Sequence, residues 1–377
     1  MTDASLPTLP PAQADAHVLA EVRRHVGVLT LNRPASLNAL SLSMIRDLTG
    51  TLLAWRDDPA VSAIVLRANA RPGKAPAFCA GGDIRWFHQA ALAGDPRLED
   101  FFTEEYALNH LIHGFPKPIV ALMDGVTMGG GMGISQGAAL RVVTEHSRLA
   151  MPETAIGLFP DVGGGWFLAR AHGHVGEYLA LTGHVLGAAD ALAVGWADLH
   201  VPSSDLDALV DALVGAATAD PTGGKRAVDA ARAFATDAGV ATITDRYGLV
   251  DAAFAQDTVA EIVAALRAAT DPLGEQIAET LRSRSPLMLH VTLQQIRRAR
   301  LMTLADDLRM ERDLVRHCFH QRPGAASETV EGIRALAVDK DHAPRWNPPR
   351  IEDVTPEQVD AFFVSPWPAW AHPLKHL

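Results

Sequence analysis

The chain reads as an α/β protein with a helical second part, on three observations. Short β-favouring runs alternate with helix-forming segments from residue 26 to about residue 200. Glycine-rich turns follow several of those runs, at Gly81-Gly82, Gly129-Gly130-Gly131 and Gly163-Gly164-Gly165. Beyond about Leu206 the sequence becomes rich in Ala and Leu with interspersed charges, and β-favouring runs grow scarce. A recurring strand–turn–helix rhythm favours an α/β architecture.

In chain order, residues 1–18 are rich in Pro, Ala and Thr and are expected to form a disordered lead-in. Val26–Leu31 (V-G-V-L-T-L) is a strand, ended by Asn32, Arg33 and Pro34. Ser41 or Ser43 caps the helix that follows, with Ile45, Leu48 and Leu52 at helical spacing and a stop near Asp58-Pro59. Residues 61–66 form a short, mostly apolar run with turn signals on either side, a buried strand. A loop over 68–76 leads into A-F-C-A-G-G-D-I-R-W at 77–86, where tight glycines precede a helix. Residues 117–125 form another strand that closes on a turn and runs into V-T-M-G-G-G-M-G-I, and 141–144 are a further strand.

The expected division is a core over 19–220, a helical region over 221–355 and a tail over 356–377, with Pro221-Thr222-Gly223-Gly224 as the boundary by composition. The prolines and three tryptophans (Trp346, Trp367, Trp370) between 344 and 377 suggest an extended arm lying on the body.

Composition bounds the function. A length of 377 residues exceeds one ordinary compact domain, and 48% hydrophobic with 20% charged residues is enough for a sizeable core. A net charge of −11 argues against non-specific nucleic-acid binding, which needs clustered positive charge. A few local Arg or Lys can still hold phosphates. Two cysteines, Cys79 and Cys318, imply no disulfide framework and a reducing compartment. The first twenty residues lack a signal peptide's apolar core and a transit peptide's Arg-rich character, and no stretch approaches the ~20 apolar residues of a membrane span. A cytoplasmic protein with no membrane or nucleic-acid partner is the expectation.

Chemistry concentrates at residues 151–166, M-P-E-T-A-I-G-L-F-P-D-V-G-G-G-W. Glu153 and Asp161 stand among apolar residues, prolines and glycines there. Acids are rarely buried unless paired, and a desolvated Glu has a raised pKa suited to general acid/base work. Taken alone, Glu153 also suits a helix start after proline and Asp161 a turn before glycines. The two upstream glycine stretches bear on that choice. Gly82, before Ile84 and Arg85, and Gly130, inside the triple glycine, are natural backbone N–H donors at helix starts. Two such donors aimed at one point make an oxyanion hole, although each glycine taken singly reads first as one that permits tight helix packing. Neither stretch is a nucleotide phosphate loop. Cys79 is expected as a packing thiol. His110, His113, His146, His172, His174 and His184 lack metal-ligand spacing, so no metal site is expected.

F-C-A-G-G-D-I at 78–84, G-V-T-M-G-G-G-M-G-I at 125–134 and M-P-E-T-A-I-G-L-F-P-D-V-G-G-G at 151–165 together resemble the enoyl-CoA hydratase/isomerase (crotonase) superfamily. Leu31-Asn32-Arg33-Pro34, Asn38-Ala39-Leu40 and Leu181-Thr182-Gly183 support the likeness. Within it, E-T-A-I-G-L-F-P-D-V-G-G-G is most similar to the 3-hydroxyisobutyryl-CoA hydrolase branch, as are Ser285-Pro286 and D-K-D-x-x-P-R-W at 339–346. The resemblance implies a crotonase-type spiral of ββα units followed by a helical C-terminal region, with acyl-CoA bound between them. It implies no cofactor beyond the CoA of the substrate. Relatives commonly form trimers or hexamers, although the long C-terminal helices could cover that surface within one chain.

For the site, the resemblance implies an oxyanion hole from the amides of Gly82 and Gly130. It places Gly129 and Glu105 at the substrate, and Arg85 near the CoA phosphates. Hydratases carry a first catalytic glutamate three residues after the oxyanion glycine, where this chain has Gly133. Their second glutamate is matched by Glu153, and Asp161 is an acid that hydratases usually lack. One strong base or nucleophile beside an oxyanion hole suits thioester hydrolysis better than hydration. The resemblance therefore implies hydrolysis of a 3-hydroxyacyl-CoA, as in valine degradation. Glu153 would act as nucleophile or general base, and Asp161 would bind the 3-hydroxyl. An enoyl-CoA or dienoyl-CoA isomerase using Glu153 and Asp161 is the first alternative, and a non-catalytic acyl-CoA-binding relative the second.

Overall fold

The computed structural model describes residues 16–377. Its strands among the described residues are β1 (Val18–Arg23), β2 (Val26–Leu31), β3 (Ala63–Ala68), β4 (Ala77–Cys79), β5 (Ile119–Met123), β6 (Val126–Met128), β7 (Leu140–Val143), β8 (Arg148–Ala150) and β9 (Leu199–His200). They form a six-stranded sheet in the order β1-β2-β3-β5-β7-β9 and a three-stranded sheet in the order β4-β6-β8. β1 and β2 pair antiparallel and the remaining neighbours are parallel. The helices that frame the site are α1 (Leu42–Asp57), α2 (Ile84–Ala93), α3 (Arg97–His113), α4 (Gly130–Gln136) and α5 (Gly164–Leu168).

Side-chain alternation along the large sheet explains its burial on both faces, as parallel sheets require. Leu29, Leu31, Ile64, Leu66, Ile119 and Ala121 point into the main core. Their neighbours Val28, Ala63, Val65, Val120 and Leu122 pack on the other face against Leu209, Leu213, Ala227 and Ala231. Those four belong to the helices Leu206–Ala216 and Gly223–Arg232. The turn at 221–224, expected as a boundary, thus joins two helices of one packing unit, and the helix after it belongs with the sheet.

α1 follows the expected pattern. The Ser41 hydroxyl accepts from Met44 N–H at 3.3 Å, and Met44, Ile45, Leu48, Leu52 and Trp55 are buried along one face. β1 goes unnoticed in the sequence reading, and it begins inside the stretch assigned to the lead-in. Residues 1–15 of that lead-in lie outside the described residues.

The later helices Pro286–Ala299, Leu304–His320 and Glu328–Ile333 pack on the main-core side, against α5, α3 and α2. Ser285-Pro286 is an N-cap followed by an N1 proline, the Ser285 side chain accepting from Met288 N–H at 3.2 Å. The tryptophan-bearing stretch lies along Leu304–His320. Trp367 takes the guanidinium groups of Arg312 and Arg316 over its ring, at 4.8 and 5.3 Å, and Ser365 donates to Asp313 at 2.9 Å. Trp370 is exposed. Among the described residues, no helix is long and apolar enough to cross a membrane.

Candidate active site

Both glycine turns come from strands of the small sheet. β4 runs into Gly81-Gly82, and α2 starts behind them with Asp83 as its cap, accepting from Trp86 N–H at 3.2 Å. Leu40 brackets the turn: its N–H donates to Gly81 O at 2.8 Å and its O accepts from Asp83 N–H at 3.0 Å. That bridge uses the groups on either side of the Gly82 amide. β6 runs into Gly129-Gly130, and the amides of Met132 and Gly133 both return to Gly129 O, at 2.8 and 3.1 Å. Gly130 opens α4, so its N–H has no acceptor within the helix. The two turns abut, since a Cβ built on Gly81 would stand 3.6 Å from Gly130 N.

β8 delivers the third segment. Glu153 begins a short 3-10 turn that ends at Gly157. Thr154 donates to Leu181 O at 3.0 Å and Thr329 donates to Gly157 O at 2.6 Å, tying this turn to two distant parts of the chain. Glu153, Asp161, Glu105, Gly82, Gly129 and Gly130 all line one cavity. With a volume of about 230 Å³, it is below the usual range for a whole drug-sized ligand and suits a short acyl group. Phe87, Met128, Leu158 and Leu336 supply apolar wall. Leu336 sits in a π-turn, Arg334–Val338, near the far end of the chain. Arg334 anchors that turn to Asp339 at 2.6 Å and to Asp341 at 2.7 Å, the two acids of the D-K-D run.

The acids stand close to the glycines. A Cβ at position 129 would lie 2.8 Å from Glu153 Oε1, and one at position 130 would lie 2.5 Å from Glu105 Oε1. Both are shorter than real side-chain contacts, so a methyl group at either place pushes the carboxyl aside. Glu105, Glu153 and Asp161 are only 2%, 6% and 5% exposed. Glu105 Oε1 and Glu153 Oε2 have no hydrogen-bond partner. Burial is the main reason that all three carboxyls titrate above their ordinary range, Asp161 at about 6. The charge of Asp161 adds to the rise at Glu105 and Glu153. Tyr106 donates to Asp161 Oδ2 at 2.8 Å and offsets part of the rise there.

Arg85 does not join this group. It is exposed near the start of α2 and is absent from the cavity wall. Cys79 is buried, its thiol pushed up to about 12 by desolvation, which makes it inert as a nucleophile. Sequence reasoning missed Tyr106 and Asn109, which share α3 with Glu105. The Asn109 amide is buried with neither polar atom bonded, and its Nδ2 would lie 3.0 Å from a Cβ at Gly133. The same Cβ would meet Val162 Cβ at 2.6 Å. No longer side chain fits at position 133 without displacing Val162.

A mixed six-stranded sheet and a parallel three-stranded sheet, with glycine turns and buried acids around one cavity, define the class. Residues 26–363 match the family model described as enoyl-CoA hydratase/isomerase, and the chain belongs to that family. Its particular likeness is to 3-hydroxyisobutyryl-CoA hydrolase of Rattus norvegicus, at 40% identity over 353 residues, 93% of this chain and 89% of the rat protein. The rat protein is named as mitochondrial, a location different from the cytoplasm expected above. Two solved structures are similar along nearly their whole length. One, named as a carnitinyl-CoA dehydratase from Mycobacterium thermoresistibile, has a TM-score of 0.83 at 37% identity, covering 94% of this chain and 98% of its own. The other, named as an enoyl-CoA hydratase from Rhodobacter sphaeroides 2.4.1, has a TM-score of 0.83 at 39% identity, covering 93% and 98%.

Proposed function

We propose that this chain hydrolyses 3-hydroxyacyl-CoA thioesters, with 3-hydroxyisobutyryl-CoA as the substrate and 3-hydroxyisobutyrate and CoA as products. The observation that carries the proposal is the wall behind Gly133. A Cβ at Gly133, where the family resemblance puts a hydratase's first glutamate, would stand 2.6 Å from Val162 Cβ, while Glu153, matched by that resemblance to the second, lines the cavity.

In the proposed reaction the amides of Gly82 and Gly130 hold the thioester oxygen as it gains negative charge. Glu153 then acts in one of two ways. Its carboxylate attacks the carbonyl carbon, the C–S bond breaks, CoA leaves as a thiolate, and water opens the resulting anhydride. Alternatively it takes a proton from water while that water attacks the carbonyl carbon, and the tetrahedral intermediate then breaks its C–S bond to release CoA. A carboxyl raised by burial is a stronger base than one in solvent, which suits either role. Asp161 accepts a hydrogen bond from the 3-hydroxyl of the acyl group, Glu105 and Gly129 bound the acyl pocket, and Arg85 meets the CoA phosphates outside it.

A second reading is hydration or dehydration. It draws on the names of the two solved structures and on Glu105, a second carboxyl beside Gly130. One assay separates the two. Purified protein is given a panel of 3-hydroxyacyl-CoA and enoyl-CoA esters, with free CoA followed by a thiol reagent and the conjugated alkene by absorbance. Thiol release from 3-hydroxyisobutyryl-CoA, lost by at least about 10²-fold in Glu153→Gln, is the expected result. An absorbance change with no thiol supports hydration or isomerisation instead, and binding with neither signal supports a non-catalytic relative.

A further inference from the structure

The segment carrying Asp161 is bent into a conformation that its own residues disfavour. Val162 has φ of +58°, a left-handed value that is an outlier for a β-branched residue, and Gly163 follows at +84°. Side chains from two C-terminal helices hold this turn. Gly163 N–H donates to Glu311 Oε2 at 2.7 Å, and Gly165 N–H donates to Glu311 Oε1 at 2.9 Å. Trp166 N–H donates to Asp307 Oδ2 at 2.8 Å. Gln295 Nε2 donates to Pro160 O at 2.6 Å and to Glu311 Oε1 at 3.2 Å. The backbone is therefore held on both sides of Asp161. Glu311, Asp307 and Gln295 are fully buried, and none of them lines the cavity.

Two acids one helical turn apart, with no cation in ion-pair contact among the described residues, make a costly arrangement. Burial raises both carboxyls, Asp307 to about 7. Both oxygens of Glu311 accept from N–H donors. Asp307 Oδ2 accepts from Trp166 N–H, and its Oδ1 has no hydrogen-bond partner among the described residues.

We infer that Glu311 and Asp307, braced by Gln295, are positioning residues that hold the left-handed turn after Asp161 and so aim its carboxyl into the cavity. The inference rests on the role proposed for Asp161 and adds three residues that do not touch substrate.

The test compares alanine and amide variants of the two acids in the full chain. Asn at 307 still accepts from Trp166 N–H, so Asp307→Asn recovers most of the rate that Asp307→Ala loses. Gln at 311 turns an NH2 toward a backbone N–H, so Glu311→Gln does not rescue Glu311→Ala. Both 311 variants are expected to lower kcat by about 10²-fold with KM changed less than threefold, the scale of a 1 Å misplacement. Amide hydrogen exchange should quicken over residues 160–168 in both and remain near wild type in Asp307→Asn. Equal rescue by both amides, or unchanged exchange in Glu311→Gln, overturns the inference. If the 311 variants fail to fold, Gln295→Met is measured the same way, and unchanged exchange and kcat there have the same consequence. Full activity in Asp161→Asn would remove the role of Asp161, while the exchange data still decide whether the clamp holds the turn.

Discussion

Tyr106 donates a 2.8 Å hydrogen bond to Oδ2 of Asp161, and both groups are buried beside the cavity. Bonding to the charged form of the acid, the phenol holds Asp161 lower than burial alone would. Tyr106→Phe removes that bond and little else. The acidic limb of the kcat/KM profile should therefore move to higher pH, with a loss of about 1 kcal/mol in stability. A pH–rate profile that coincides with wild type would rule out Asp161 as the titrating group.

The same acid makes a prediction about stability. Asp161 titrates at about 6 in the folded protein against an ordinary value of 3.8. The folded state thus holds the proton more tightly than the unfolded chain, and stability falls as pH rises from about 4 to about 6. Asp161→Asn removes that penalty. Urea unfolding at pH 8 should show the variant more stable by up to about 3 kcal/mol, with the gain shrinking as pH approaches 4. Activity should fall in the same variant, a trade of function for stability.

Gly129→Ala and Gly130→Ala place a methyl group against Glu153 and Glu105 respectively. Position 129 also has φ of +48°, which adds backbone strain. Each substitution should reduce thioester hydrolysis by roughly 10²–10³-fold, comparable to the loss of an oxyanion donor. Circular dichroism should report an unchanged fold, and rates near wild type in either variant would count against the acids standing where they do.

Gly133→Glu restores the carboxylate that a hydratase has at this position. Here it should not restore hydration, because the side chain must displace Val162 from behind the helix start. The expected outcome is a protein destabilised by about 1–3 kcal/mol with no alkene hydration. Hydration at a measurable rate would show that the wall yields.

Features of the sequence that carry their own local physics were legible. The Ser41 cap, the apolar strands and the glycine turns all follow from residue type and spacing, and they place Gly82, Gly129 and Gly130 at one cavity with Glu153 and Asp161. Features that depend on remote partners were not. β8 and β9 are three and two residues long, too short to carry a periodic signal. β1 is an edge strand whose polar alternation blends into the lead-in. Tyr106, Asn109, Gln295, Asp307 and Glu311 look like ordinary helix residues until the fold sets them beside segments far away in the chain. The one site residue placed outside the cavity, Arg85, rests on family likeness alone, and no local feature of the sequence marks it.

Glu311 meets Gly163 across 148 residues of chain. While a ribosome is still delivering the last third of the polypeptide, the bend after Asp161 has nothing to accept its amides and no reason to take a left-handed shape. The ββα layers can assemble in that interval, but their carboxyls stay unaimed. Under the proposed function, thioester cleavage waits for the helices near residue 300 to dock.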